Sequence, residues 1–214
     1  MDLRRITNAM IEKRAAIPAA RSVLAGISGI DASGKGLIAS KLRDNLEAEG
    51  LRTALISADD WLNLPSVRFS DTNPCRHFYE NSLRLDEMFG SLVLPLKRDR
   101  QVDRVADTAE ETADSFRRGT YSLHDIDVIL LEGIFLFKEK YREVFDLKIW
   151  IECPFATALE RAVRRSQEGL GREETIKVYE TVYFPAQRHH FLIDDPFASA
   201  DLTFPNGNTL AVHV

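Results

Sequence analysis

One octapeptide constrains the chain more than any other feature: Gly29-Ile30-Asp31-Ala32-Ser33-Gly34-Lys35-Gly36. Before it, Val23-Leu24-Ala25-Gly26-Ile27 is a short apolar run of the kind a buried parallel strand supplies. After it, Leu37, Ile38, Leu42 and Leu46 are expected on one helical face as far as Gly50, a natural C-terminal stop. Strand, glycine turn and helix in that order gather backbone N–H groups and a helix N-terminus around one point, where anionic oxygens are favoured. Lys35 adds a full positive charge there, and Gly29 and Gly34 permit the tight curvature. The eight residues Gly29, Ile30, Asp31, Ala32, Ser33, Gly34, Lys35 and Gly36 therefore predict a seat for the phosphates of a nucleotide. Its last position departs from the full motif. Gly36 stands where a Ser or Thr hydroxyl would reach Mg²⁺, so any metal must rely on phosphate oxygens, water and acidic side chains.

The rest of the chain is compatible with one α/β domain of 214 residues. A formal charge of -5 gives no electrostatic reason to expect nucleic acid as a partner. Cys75 and Cys153 stand alone in unlike contexts, which argues against a disulfide framework or zinc cluster and for a reduced, cytoplasmic setting. No apolar run reaches the length of a membrane helix. Leu3, Ile6, Met10 and Ile11 recur at helical spacing and predict a short amphipathic helix ended by Pro18, covering the domain rather than lying on a membrane.

Further strands are expected at Thr53–Ser57, Asp127–Gly133, Leu147–Glu152 and Ala200–Phe204, with a terminal edge strand at Leu210–Val214. About seventy residues separate the second strand from Asp127, too many for a plain crossover, so roughly residues 62–125 form an insertion. Within it, Glu80–Leu96 reads as largely helical with Leu83, Met88, Phe89 and Leu92 inward and Pro95 closing it. Weak alternation in Lys97–Thr120 is compatible with a small hairpin. Pro154–Gln167 suits a proline-initiated helix, and the segment from Arg164 to Arg172, interrupted by Gly169 and Gly171, reads as a lid within roughly residues 164–185.

Acidic residues at strand ends supply the remaining chemistry. Asp59 and Asp60 follow the second strand, at the edge where open α/β sheets place ligand groups. Either can orient and deprotonate an acceptor hydroxyl or hold magnesium; as turn carboxylates they can also cap a helix. Glu132 ends the apolar run Val128–Leu131, suited to a metal-side role or to bracing a loop. Arg161, Arg164, Arg165 and Arg172 gather positive charge near the lid, with Arg164 and Arg165 the better phosphate clamps. His77 and Tyr79, flanking Phe78, can stack on or hydrogen-bond an acceptor, or anchor a hydrophobic attachment point. His189 and His190 have no convincing metal-ligand spacing.

The ordered set resembles the uridine kinase family and its wider group with phosphoribulokinase and bacterial pantothenate kinase. The matching stations are Gly29–Lys35, Ser57-Ala58-Asp59-Asp60-Trp61, His77-Phe78-Tyr79, Leu94-Pro95-Leu96, Leu131-Glu132-Gly133 and Arg161–Arg165. The resemblance implies a P-loop kinase fold: a mostly parallel five-stranded core sheet, flanking helices, an acceptor-side insertion and a lid. It implies ATP and Mg²⁺ as cofactors, Asp59 as the acid that activates the acceptor, Glu132 with Asp59 on the metal side, and catalytic roles for Lys35, Arg164 and Arg165. Asp60, His77 and Tyr79 would contribute to acceptor binding. Transfer of the γ-phosphoryl group to the 5′-hydroxyl of uridine or cytidine is the expected reaction, with pantothenate or another alcohol as the alternative acceptor. A non-catalytic nucleotide-binding protein is the other reading, because the family supplies Ser or Thr where this chain has Gly36. A small-molecule partner is expected, with neither nucleic acid nor membrane, and an oligomer is compatible with the sequence.

Overall fold

The computed structural model describes residues 3–166 and 169–207. Five parallel strands form the central sheet: β1 (Val23–Gly29), β2 (Thr53–Ser57), β5 (Val128–Gly133), β6 (Leu147–Glu152) and β7 (Leu202–Pro205), in the spatial order β2-β5-β1-β6-β7. Strand β1 lies at the centre, with Gly26 opposite Leu131 on one side and Lys148 on the other. All residues of β1 and β5 are buried, as expected of strands covered on both faces. The expected strand at residues 210–214 lies outside the described residues.

Alternate residues of the central strands divide between two cores. Val23, Ala25 and Ile27 meet Val128, Leu130 and Ile149 beneath α1 (Leu3–Ala16) and α2 (Lys35–Ala48). Ile6 and Met10 close that layer from α1, as their helical spacing requires. In α2 the inward face is Lys35, Ile38, Ala39, Leu42 and Leu46, whereas Leu37 is 63% exposed. The expectation for Leu37 is therefore corrected. It is one residue, or roughly 100° of helical rotation, from Ile38 and so falls outside the buried stripe.

The opposite face of the sheet packs against the insertion and the C-terminal helices. Between β2 and β5 run α3 (Pro65–Arg68), α4 (Pro74–Asn81), α5 (Leu85–Met88), α6 (Leu94–Asp99) and an antiparallel hairpin of β3 (Val102–Thr108) with β4 (Arg117–Leu123). After β6 come α7 (Phe155–Arg165), α8 (Arg172–Val178) and α9 (Phe184–Asp194).

Pro95 does not close its helix. Residues Phe89–Val93 widen into a π turn, with the Leu94 N–H donating to the Phe89 carbonyl, and the helix continues to Asp99. The same device recurs at Tyr179–Tyr183, ahead of Pro185. A proline ring clashes with the carbonyl four residues back in a regular helix, and the extra residue in the turn relieves this. The helical stretch expected over Glu80–Leu96 is also interrupted, with a break between Asn81 and Leu85.

Candidate active site

The phosphate loop leaves β1 at the carboxyl edge of the sheet and enters α2 through Gly34, whose φ of +87° needs glycine or costs strain. A brace holds it from outside. Arg161 of α7 donates from Nη1 to the Ser33 carbonyl at 3.1 Å and from Nη2 to the Asn206 carbonyl at 2.8 Å. Asn206 Nδ2 donates to the same Ser33 carbonyl at 2.7 Å. Arg161 thus fixes the loop's rear rather than forming part of a lid. Asn206 carries no site signal in the sequence beyond its place just after the parallel strand β7, at the ligand edge of the sheet.

Lys35 is buried beside two carboxylates. Glu132, at the end of β5, accepts a 2.5 Å hydrogen bond from the Ser57 hydroxyl. Burial raises its pKa above the ordinary carboxylate range; Lys35 opposes the shift and Asp59 reinforces it. A Cβ built on Gly36 would meet that carboxylate at 3.8 Å, ordinary van der Waals contact, so the missing side chain would project toward Glu132. Asp59 sits in the short turn Ala58–Asp60 after β2, its backbone N–H donating to Ser57 Oγ at 3.3 Å. Its side chain is open to solvent at the cleft mouth, yet desolvation by surrounding protein raises its pKa, against the pull of Lys35 and with the repulsion of Asp31. Asp60 is shifted upward as well, by burial and then by Asp59.

The structure separates Arg164 from Arg165. Arg165 Nη2 lies 3.8 Å from Asp31 Oδ1 and 3.5 Å from the Tyr179 hydroxyl, and its side chain lines a cavity shared with Asp59. Tyr179 in turn donates to Asp31 Oδ2. Arg164 instead lines a separate groove with Leu159, Val163 and Arg172. Residues 167 and 168 of the expected lid lie outside the described residues.

The cavity beside Asp59 measures about 30 Å³ and shares Asp59, Leu62 and Glu111 with an adjoining cleft of about 300 Å³. Arg68, Phe78, Tyr183 and Gln187 also line the smaller space. Neither His77 nor Tyr79 lines it. His77 Nε2 pairs with the Val67 carbonyl at 2.9 Å, and the Tyr79 hydroxyl donates to Asp194 at 2.6 Å behind the cavity. Phe78, between them on α4, is the residue of this trio that lines the cavity. Asp60 lines the larger cleft.

The sequence profile of the Phosphoribulokinase / Uridine kinase family matches residues 24–213. The chain belongs to that family. The uridine kinase of Lactococcus lactis subsp. cremoris (strain MG1363) is 26% identical over 201 residues, covering 91% of this chain and 94% of the relative. A possible uridine kinase from Bacillus stearothermophilus superposes with a TM-score of 0.72 at 23% identity, over 95% of this chain and 100% of that one. D-glycerate 3-kinase from Cryptococcus neoformans superposes at 0.68 with 14% identity, over 96% and 95%. These superpositions show the shared P-loop kinase fold, and family membership makes the chain an ATP-dependent kinase of small molecules.

Members of such a family use Mg²⁺ with ATP, and the donors here suit a hard cation that keeps much of its coordination on phosphate and water. Among the described residues no group of three or more His, Cys, Asp or Glu is arranged as a protein cage. Desolvation disfavours the charged forms of Glu132 and Asp59, a cost that a divalent cation beside them would offset.

Proposed function

We propose that this kinase transfers the γ-phosphoryl group of ATP to a hydroxyl of a small acceptor seated against Asp59, with the 5′-hydroxyl of uridine or cytidine as the leading acceptor. The observation that carries the reading is the convergence of Lys35, Asp59 and Glu132 at the carboxyl edge of the sheet, with electrostatic coupling among all three. Phosphoryl transfer requires alignment and charge stabilisation more than covalent participation by the protein. The phosphate loop and Lys35 hold the donor phosphates. Asp59, whose raised pKa makes it a stronger base than an ordinary aspartate, orients the acceptor hydroxyl and takes its proton. Arg165 faces the same space and can meet charge developing on the transferred group. Mg²⁺ would be held by Glu132 and Asp59 and would neutralise phosphate charge. The named relatives support a pyrimidine nucleoside.

A second acceptor class, a small non-nucleoside alcohol, is favoured by the placement of His77 and Tyr79 outside the cavity. Incubation with ATP and Mg²⁺ over uridine, cytidine and a panel of small alcohols, read by product mass, decides between them. Nucleoside monophosphate is the expected product. Phosphorylation of an alcohol with neither nucleoside turned over would replace the acceptor, and ATP binding without any acceptor-dependent turnover would overturn the kinase reading.

A further inference from the structure

The walls of the acceptor space say more about its occupant than its outline does. Gln187, on α9, is fully buried at 0% exposure, and neither its amide oxygen nor its amide nitrogen has a hydrogen-bond partner among the described residues. A buried amide left unpaired is costly, and native interiors rarely leave both of its ends so. Gln187 lines the cavity next to Asp59. An amide with both ends unpaired thus stands in the wall of the space where, on the kinase reading, an acceptor molecule would sit.

Charge around the same space is arranged against anions. Arg68 is 1% exposed, but Glu111 already neutralises it: Nη1 lies 2.8 Å from Oε1, and Nη2 donates to the Glu111 carbonyl. Arg165 lies against Asp31. Asp59 adds negative charge where the cavity meets the larger cleft, and Asp60 lines that cleft. Among the described residues that line this chamber, a carboxylate would meet fixed carboxylates, and the two arginines there are each already set against an acid, with only Arg68 Nε left without a hydrogen-bond partner.

We infer that the acceptor site is built for an uncharged, polyhydroxylated molecule, and that Gln187 is a specificity-determining residue which hydrogen-bonds hydroxyls beside the one that reacts. An amide offers one donor group and one acceptor, and adjacent hydroxyls, each both donor and acceptor, complement it. The inference rests on the kinase reading and narrows its substrate class: uridine, cytidine and neutral sugars or polyols fit, whereas alcohols bearing a carboxylate do not.

The test uses matched pairs that differ by one carboxylate: uridine against orotidine, glycerol against glycerate, and pantothenol against pantothenate. ATP-dependent product formation gives kcat/KM, and calorimetry gives binding without turnover. In any pair that reacts, the neutral member should be favoured by at least about tenfold, the scale set by a like charge at a partly desolvated site. The companion variant is Gln187→Leu, which keeps the volume and removes the orphaned amide. It should raise the thermal midpoint of the free protein, because an unpaired buried group is removed, and raise the KM for the neutral acceptor about tenfold with the KM for ATP unchanged. A purely structural role for Gln187 would instead lower the midpoint or leave the acceptor KM alone. Preference for a carboxylate-bearing member, or an unaltered acceptor KM in Q187L, would overturn the inference. So would ATP binding with no binding of any neutral member. Failure to bind ATP at all would instead strike the underlying kinase reading.

Discussion

On the nucleotide side of the cleft, the phosphate seat comes from one run, residues 29–36, between a central strand and its following helix. On the side proposed for the acceptor, Asp59, Arg68, Glu111 and Gln187 come from four separated elements: the turn after β2, α3, the β3–β4 connection and α9. Local chain geometry builds the first half, since a glycine turn entering a helix presents its own N–H groups. Tertiary packing builds the second. The two halves meet at Asp59, which couples to Lys35 on one side and lines the acceptor cavity on the other.

Asp59→Asn is the sharpest cut along that line. Removing the base should lower kcat by roughly 10³-fold, within the usual worth of general-base catalysis, while weakening ATP binding far less. Because the pKa of Asp59 is raised by burial, activity of the native protein should climb with pH through a value above the ordinary 3.8 as the carboxylate ionises. A D59N enzyme that turns over normally would remove Asp59 from the chemistry.

That contrast between the halves also explains what could be read in advance. The order of strand, loop and helix, the acids at strand ends, and the buried strands themselves were legible because each is a local pattern with a period or a fixed spacing. The sheet indeed carries Asp59 and Glu132 to one edge with Lys35. Gln187 and Arg68 left no such trace, since a lone Gln in a helix and a lone Arg before a loop have no periodic partner. His77 and Tyr79 stood in a promising aromatic cluster, but helical rotation on α4 turns the intervening Phe78 toward the cavity. The π turns ahead of Pro95 and Pro185 were hidden for a related reason: the sequence shows a helix breaker, and packing decides whether the helix absorbs it.

Behind the acceptor cavity, Asp194 pins α9 to α4 and to the segment after β5. It accepts from the Tyr79 hydroxyl at 2.6 Å, from His190 Nδ1 at 2.7 Å and from the Glu139 backbone N–H at 2.8 Å. Burial alone would raise its pKa, but these hydrogen bonds outweigh burial and hold it at about 2. Burial lowers the pKa of His190, against the opposing hydrogen bond and charge of Asp194. A carboxyl depressed in the folded state contributes stability that is present above its unfolded value of 3.8 and lost as pH falls toward about 2. The contribution at neutral pH should be about 2 kcal/mol, and Asp194→Asn should remove the corresponding slope of unfolding free energy between about pH 4 and 2. The acceptor half would lose its anchor while ATP binding persists; an unchanged slope would show that the pin carries no charge-dependent stability.

On the nucleotide side, Gly36→Thr restores the hydroxyl that the loop lacks. The nearest atoms to a Cβ there belong to the Glu132 carboxylate at 3.8 Å, so the backbone admits a side chain. Magnesium affinity in the presence of ATP should rise by about fivefold, and turnover at limiting Mg²⁺ should rise with it. Titration of activity against Mg²⁺ reads this directly. A fall in ATP binding would mean that the loop needs glycine for a reason other than space.

Glu132→Gln probes the boundary from the metal side with the smallest effect. Burial raises the folded pKa of Glu132 above its ordinary 4.5. The sign is then opposite to that of Asp194: the stabilising contribution is full below the unfolded pKa and is lost as pH rises through the folded one. Ionisation of Glu132 therefore costs the free protein stability, so E132Q should unfold at higher denaturant concentration above the folded pKa, with the gain shrinking as pH falls and the native carboxyl takes up its proton. Saturating Mg²⁺ and ATP should reverse the ranking, because a bound cation rewards the carboxylate and not the amide. If the native protein and the variant gain equally from Mg²⁺ and ATP, Glu132 serves the fold through Ser57 and the metal is held elsewhere.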